Sequence, residues 1–221
     1  VFDSKVQRIA HTQDGFAVYC DDRVFHARTV VNAAGLYADE VARMAGTELP
    51  SITPRKGEYC IFDQQAGGLV SHTLFQLPTK WGKGVLVTPT VDGNLMVGPS
   101  ADDQEDKDDC ATTQQGLAFI LERAQQSVQS LPTRQIITSF AGLRARPEND
   151  DFTVKEDERI RGLYHASGIE SPGLTAAPAI AEQLCDWIVQ ALDAKEKAHP
   201  VRTRTRIRRI KEMTPRERDL A

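Results

Sequence analysis

The chain lacks the features of a membrane-spanning, secreted or cysteine-ligated metal protein. None of its apolar runs approaches the roughly 20 residues that span a bilayer, and residues 1–30 do not resemble a signal peptide. The four cysteines lie far apart without paired spacing, at positions 20, 60, 110 and 185. This spacing argues against a metal knuckle or a redox pair and favours reduced thiols. Together these absences predict a cytoplasmic protein without a bound metal.

Charge is distributed unevenly along the 221 residues. Residues 195–221 carry a net charge of +6, although the whole chain has a net charge of −4. A basic run can bind nucleic acid or anionic lipid, but this tail has no interleaved aromatic residues. We therefore interpret it as a solvated linker and expect no nucleic-acid partner. Residues 102–109 include six Asp or Glu residues, which we interpret as a solvated loop ahead of a helix rather than a metal site.

The pattern of the first fifty residues predicts a small sheet and then a strand that ends in a turn. Strands are predicted at residues 5–10, 15–20 and 24–31. Residues 27–34 form an apolar strand that breaks at Gly35, and a short helix then ends at Gly46.

The middle of the chain predicts an antiparallel sheet backed by a helix. Two strands, at residues 84–91 and 94–98, are predicted to flank a two-residue Asp-Gly turn. Further strands are predicted at residues 59–62, 71–77 and 135–140. Apolar residues at helical spacing predict a helix over residues 112–131, which Pro132 stops.

A second strand that ends in small residues lies near the end of the chain. Residues 163–166 predict a short strand, and Gly168 and Gly173 permit backbone angles that a side chain would forbid. A long amphipathic helix is predicted to start near Thr175, with Pro178 in its first turn. Its inward face is predicted to consist of apolar residues at helical spacing: Ala177, Ile180, Ala181, Leu184, Ile188, Ala191 and Leu192. Its amino end would then point unpaired N–H groups, which favour negative charge, at whatever lies beyond the turn. A strand-turn-helix crossover without a ligand is the alternative.

Two segments carry a family resemblance: Val-Val-Asn-Ala-Ala-Gly-Leu-Tyr-Ala-Asp at residues 30–39 and Gly-Ile-Glu-Ser-Pro-Gly-Leu-Thr at residues 168–175. Together they resemble the FAD-dependent oxidoreductases of the D-amino-acid oxidase and glycerol-3-phosphate dehydrogenase superfamily. Residues 53–59 and 141–147 add further similarity, and the resemblance covers roughly residues 1–193. The closest pattern is the glycerol-3-phosphate dehydrogenase-like or L-2-hydroxyglutarate oxidase-like branch.

The resemblance implies an α/β fold with an α+β substrate part. An antiparallel-sheet substrate domain with a helix, residues 51–140, is inserted between two portions of a Rossmann-like FAD-binding domain, residues 1–50 and 141–193. Residues 194–221 are then a basic linker toward a missing C-terminal domain.

The resemblance also implies that FAD is the cofactor and that the two turns converge on one face of one sheet. The residues expected to bind it are Ala34, Gly35, Gly168, Ser171, Pro172, Gly173, Leu174 and Thr175. Hydride transfer leaves negative charge on the flavin ring, which helix N–H groups after Gly173 would stabilise.

A small anionic hydroxy substrate, glycerol 3-phosphate or a 2-hydroxy acid, is expected. Arg144 is the first choice to bind it, because a planar guanidinium offers an anion two parallel hydrogen bonds. Arg146 is the second choice, and Lys56 could line the mouth of the pocket. For both arginines a surface or interdomain ion pair is the alternative. No catalytic base is assigned. His72 is the single histidine in the predicted substrate sheet, and one histidine near a strand is more often structural or exposed than catalytic.

Other activities stay open. The runner-up enzyme activity is the oxidation of an amine or amino acid, and a non-catalytic binding module is the alternative from another class. The turn at residues 171–175 lacks the lysine of a Gly-Gly-Lys turn that glycerol-3-phosphate dehydrogenases generally carry, and it looks more like the hydroxyacid branch.

Family members open with a Gly-x-Gly-x-x-Gly turn that holds the FAD pyrophosphate. Neither Gly67-Gly68 nor Gly82-Lys83-Gly84 follows a strand and opens a helix. We therefore expect a fragment that binds FAD weakly or not at all by itself and is inactive alone.

The tail resembles a linker that precedes an iron–sulfur domain in some members. The electron acceptor is left open, with such a domain as one candidate and peripheral membrane contact as another role for the tail.

Overall fold

A computed structural model describes residues 1–77, 84–201, 203 and 209–218. Within these residues the strands, in chain order, are β1 (Val6–Thr12), β2 (Gly15–Cys20), β3 (Val24–Ala27), β4 (Val30–Asn32), β5 (Ile52–Phe62), β6 (Leu86–Pro89), β7 (Leu95–Gly98), β8 (Asp102–Asp103), β9 (Ile136–Pro147), β10 (Thr153–Glu156) and β11 (Leu163–Ser167). The α-helices are α1 (Ala38–Met44), α2 (Gln114–Gln125), α3 (Gly173–Leu192) and the four-residue α4 (Pro215–Arg218).

The strands form three sheets. An antiparallel meander of β1, β2 and β3 packs Ile9 and Phe16 against Leu163 of the second sheet. In the second sheet, β11 is antiparallel to β10 and parallel to β4. The third sheet is antiparallel and is centred on the long strand β5, which pairs with β9 along one side and with β7 and β8 along the other.

The predicted third strand of the meander is wrong in one respect. Residues 24–31 form two strands, because β3 pairs with β2 whereas β4 leaves for the second sheet and pairs with β11. The change of sheet is marked by the Val30 amide, which donates to the Gly162 carbonyl at 3.0 Å.

The antiparallel sheet backed by α2 confirms the arrangement predicted for the middle of the chain. One face of β5 carries Cys60 and Phe62, which pack against Ile120 and Ala124 of α2. The strand β9 continues without a break to Pro147. The domain boundary predicted at residue 140 therefore falls inside a strand.

Three details of this sheet differ from the prediction. The β6–β7 connection is five residues long rather than two, because pairing stops at Pro89 and Leu95. Residues 71–77 form no strand; Leu74 alone pairs, with Val87. Helix α2 ends at Gln125, well before Pro132.

Helix α3 differs from its prediction at its amino end and on its surface. It begins at Gly173, so Pro178 is its sixth residue and lies beyond the first turn. Ile180, Leu184 and Ile188 pack on β11 as predicted. The expected inward face is otherwise largely exposed, including Ala177 and Ala181 among other apolar positions. No helix in the described part of the chain has the combination of length and apolarity that a bilayer crossing requires.

The buried carboxylate of Glu58 joins α2 to the sheet. Glu58 is 2% exposed, and its oxygens accept from the Thr113 amide at 3.0 Å and the Thr113 hydroxyl at 2.9 Å. Thr113 in turn caps α2 by accepting from the Gly116 amide. A carboxylate at a helix amino end is favoured by the helix dipole. Gly116 leaves room for it, since a Cβ there would overlap the Glu58 carboxylate.

We expect Gly116→Ala to destabilise the fold by about 1–3 kcal/mol, the usual cost of forcing an extra carbon into a packed site. Chemical denaturation of the protein carrying this chain measures the effect. Gly68→Ala is the matched control, because a Cβ at Gly68 meets nothing within 4 Å. Equal stabilities of the two variants would contradict this account of the α2 contact.

Candidate functional site

The two turns predicted to bind the cofactor lie side by side. β4 and β11 are parallel neighbours, with Asn32 directly opposite His165, and parallel strands of one sheet end at the same edge. The chain leaves β4 through Ala34 and Gly35 and leaves β11 through Gly168. The two turns therefore leave the same edge of one sheet, and their predicted proximity is confirmed.

The backbone favours glycine in both turns. Gly35 has φ +56° and begins a 3-10 turn, and a Cβ there would meet no atom within 4 Å. Gly168 has φ +69°, and its Cβ would lie 2.8 Å from Cβ of Pro147, at the end of β9. Such angles favour glycine. The open side of Gly35 is where a ligand can approach the main chain closely.

A cavity of about 310 Å³ adjoins the second turn. It is lined by Gly168, Glu170, Ser171 and Pro172 on the turn and by Pro147 and Asp150 across from it. Its acidic side chains favour hydroxyl and amide donors over anions.

The amino end of α3 offers fewer amides than predicted. The Gly173 amide donates to the Glu170 carbonyl at 2.5 Å, and the Thr175 amide donates to the Pro172 carbonyl at 3.0 Å. The Leu174 amide has no hydrogen-bond partner among the described residues, and its side chain is 94% exposed. Leu174 therefore presents an N–H of this turn without a partner among the described residues.

A buried polar network fixes the first turn. The Asn32 amide nitrogen donates to the Ala38 carbonyl at 2.8 Å, and its oxygen accepts from the Ala34 amide at 3.3 Å. The same nitrogen lies 3.3 Å from Nδ1 of His165. Since that nitrogen is a donor, Nδ1 accepts and Nε2 carries the proton, which it donates to Asp157 at 3.1 Å.

Burial determines the protonation of this network. It lowers the pKa of the fully buried His165 below its ordinary value, despite the nearby Asp157 carboxylate. Burial would raise the pKa of Asp157, but hydrogen bonds from the Thr47 hydroxyl, the Arg159 amide and His165 together hold it below its usual value. The stable form is therefore a neutral imidazole beside a carboxylate. Sequence reasoning missed these residues; an Asn and a His in otherwise apolar strands were the available signal.

Arg144 and Arg146 have different surroundings although both point to the same face of β9. Arg146 pairs with Asp103 and Asp150, at 3.1 Å in each case. Arg144 is half-buried and forms no ion pair within the described residues; its Nη1 lies 3.5 Å from the Ser100 carbonyl. Its guanidinium lies over Gly57, because a Cβ at Gly57 would be 2.6 Å from Nη2. Arg144 is therefore the arginine whose charge is available to an anion.

Lys56 lies on the other face of the sheet. Side chains alternate along a strand, so Lys56 shares the α2 face with Glu58, whereas Arg55 lies opposite Arg144. Lys56 is 5% exposed. Its Nζ donates to the Asp109 carboxylate at 2.6 Å and to the Ala111 carbonyl at 3.1 Å. The structure does not bring Lys56 and Arg144 together.

The acidic segment is paired rather than simply solvated, which corrects the sequence interpretation. Asp103 accepts two hydrogen bonds from Arg55, which hold the pKa of its carboxyl below the usual value. Lys107 reaches back to Asp39 of α1 at 3.0 Å. This segment therefore joins the third sheet to the helix that follows the Gly35 turn. His72 is exposed and contacts Ser71, and the structure gives it no role.

The chain belongs to the FAD-dependent oxidoreductase family, whose model matches residues 1–187. It is 46% identical over 191 residues to a glycerol 3-phosphate dehydrogenase of Caloramator mitchellensis, covering 85% of this chain and 40% of the relative. A structure of L-alpha-glycerophosphate oxidase from Mycoplasma pneumoniae with FAD bound superposes with a TM-score of 0.78 at 31% identity, covering 89% of this chain and 52% of that one.

A more distant relative is the mitochondrial L-2-hydroxyglutarate dehydrogenase of Mus musculus, 35% identical over 77 residues, which are 34% of this chain and 17% of the relative. The chain spans about half the length of the first relatives it matches. The predicted roles of the tail fall partly on residues 202, 204–208 and 219–221, which lie outside the described residues. An iron–sulfur domain or a membrane contact stays a prediction.

We expect the unfolding free energy to fall as the pH is lowered below about 6.5, the ordinary pKa of histidine. In that range the unfolded chain binds a proton that the buried neutral His165 does not bind, so the slope approaches 1.4 kcal/mol per pH unit at most. Asp157 acts at lower pH, because its folded pKa is below its usual value. Denaturation of the protein carrying this chain from pH 5 to 7.5 measures the slope.

His165→Gln removes this histidine from the proton balance and should flatten the slope between pH 5 and 6.5. His72→Gln is the control, since that imidazole is exposed. If His165→Gln keeps the wild-type slope, His165 is not the group responsible.

Proposed function

We propose that the protein carrying this chain is a FAD-dependent dehydrogenase or oxidase that removes a hydride from glycerol 3-phosphate. The observation that carries the proposal is Arg144, an available guanidinium on a strand whose end touches the predicted cofactor turn. The end of that strand, Pro147, would contact a Cβ at Gly168, so substrate and cofactor elements adjoin.

The cofactor-facing residues fit a dinucleotide at the edge of a parallel pair, where ligands of α/β sheets bind. Ala34 and Gly35 supply a bare turn, held in place by Asn32. Gly168, Ser171, Pro172 and the amino end of α3 supply the second. When bound, FAD supplies the hydride acceptor. The chain contributes the open Leu174 amide and the positive end of a 20-residue helix, both of which favour negative charge.

The Arg144 guanidinium would bind the anionic group of the substrate and orient its carbon chain. The relative named a glycerol 3-phosphate dehydrogenase is 46% identical over 85% of the chain, whereas five L-2-hydroxyglutarate dehydrogenases are 28–35% identical over 33–71% of it. This difference supports glycerol 3-phosphate over a 2-hydroxy acid, although the turn at residues 171–175 lacks a lysine. The residue that accepts the hydroxyl proton is not assigned to this chain.

We expect Arg144→Lys to raise the KM for glycerol 3-phosphate roughly tenfold to hundredfold, because a lysine cannot make the bidentate contact. Steady-state turnover with a dye acceptor, on the FAD-loaded protein carrying this chain, measures it. Arg146→Lys should leave KM within about twofold, since Arg146 is held by two carboxylates. A wild-type protein that retains FAD but oxidises no glycerol 3-phosphate would refute the proposal.

We expect Gly35→Ala to weaken FAD binding, because the new Cβ enters the open side of the turn. Titration of the apoprotein with FAD, followed by flavin fluorescence, measures the dissociation constant. Gly46→Ala is the matched control: Gly46 has φ +85° and the same open space, but it lies at the far end of α1. Both variants carry backbone strain, so equal FAD affinities would show that the Gly35 turn does not face the cofactor.

A further inference from the structure

The face of the third sheet opposite helix α2, called the uncovered face because Phe140 and Gly142 are exposed on it within the described residues, carries an ordered set of side chains around Arg144. Three directly opposed pairs of β5 and β9 follow one another on this face: Arg55 with Arg144, Gly57 with Gly142, and Tyr59 with Phe140. Helix α2 covers the other face, where Glu58 and Cys60 lie. The strip between the arginines and the aromatic pair therefore has no side chains of its own.

The two glycines of this strip have different surroundings. The space beside Gly57 is filled by the Arg144 guanidinium and by Pro99. A Cβ at Gly142 would meet nothing within 4 Å, and Gly142 has no positive φ. Neither backbone geometry nor packing within the described residues requires a glycine at position 142. A glycine inside a paired strand is unfavourable by itself and often marks close approach of another group.

The aromatic pair closes the other end of the strip. The Tyr59 and Phe140 rings are stacked, with centroids 5.0 Å apart and planes 8° from parallel. Phe140 is 44% exposed. Rows two residues apart on a strand are separated by roughly 7 Å. Because the guanidinium already lies over Gly57, one row spacing, roughly 7 Å, separates it from the aromatic rings, and Gly142 is the open position beside it.

We propose that this strip, Gly57 and Gly142 between the Arg144 guanidinium and the Tyr59–Phe140 stack, is the surface that binds the carbon chain of the substrate. It limits the length of that chain to about three carbons. The inference rests on the proposed function and extends it from the anionic group to the rest of the substrate. Arg144 binds the anion, Gly142 provides room for the chain, and Phe140 sets the length.

The test compares glycerol 3-phosphate with inorganic phosphate, which can occupy the anion position but has no carbon chain. In FAD-loaded protein carrying this chain, Gly142→Ala should raise the KM for glycerol 3-phosphate roughly tenfold, as one added carbon in a fitted site does. The inhibition constant of phosphate should stay within about twofold. FAD content and unfolding midpoint should match wild type, because the added methyl group meets no protein atom. Gly68→Ala should change none of these quantities.

Two results overturn the proposal. If Gly142→Ala leaves both constants unchanged, no substrate atom lies over Gly142. If both constants rise equally, the variant acts by displacing Arg144 and not by blocking the carbon chain.

Phe140→Ala tests the length limit independently. It should increase kcat/KM for a four-carbon hydroxyalkyl phosphate relative to glycerol 3-phosphate, and an unchanged ratio contradicts the assignment of Phe140. If the wild-type enzyme oxidises a 2-hydroxy acid instead of glycerol 3-phosphate, the proposed function fails by itself. The same comparison, with that acid as substrate and acetate as the anion without a carbon chain, then confirms or overturns the role of the strip in binding the carbon chain.

Discussion

The parallel pairing of β4 with β11 is the contact on which the rest of the site depends. It is only three residues long, yet it brings together two turns that are more than 130 residues apart in sequence. Its last pair, Asn32 and His165, is buried and hydrogen-bonded both across the strands and into the Gly35 turn. Because a buried polar group without a partner is costly, the network favours one arrangement of the two turns over alternatives.

Alternation along β5 separates the core face of the third sheet from the face that carries Arg144. Residues on one face, such as Glu58 and Cys60, fix helix α2 and the core. Residues on the other face, such as Gly57 and Tyr59, lie beside Arg144 or the open strip. A shift of one residue in the β5–β9 register would exchange the two faces. The Glu58 contact with α2 therefore also keeps Arg144 on the uncovered side.

Local pattern was sufficient to predict the glycine-ended strands and the antiparallel sheet, and the family resemblance added the convergence of the two turns. It failed where tertiary pairing decides: residues 24–31 change sheets, and residues 71–77 lack a partner for a full strand. It could not place Lys56 on the α2 face, because the sequence does not reveal which face of β5 the helix covers. The network around His165 joins four separate segments, so no local pattern contains it.

Charge pairing explains why Arg144, among the basic side chains of β5 and β9, remains available to an anion. Asp103 engages Arg55 and Arg146, and Asp109 engages Lys56. The acidic segment at residues 102–109 therefore neutralises most of the basic groups that lie near it on β5 and β9. Arg144 forms no ion pair with the part of the chain that the structure describes, and its Nη1 lies 3.5 Å from the Ser100 carbonyl. A half-buried guanidinium without a carboxylate partner among the described residues favours an anionic ligand over a neutral one.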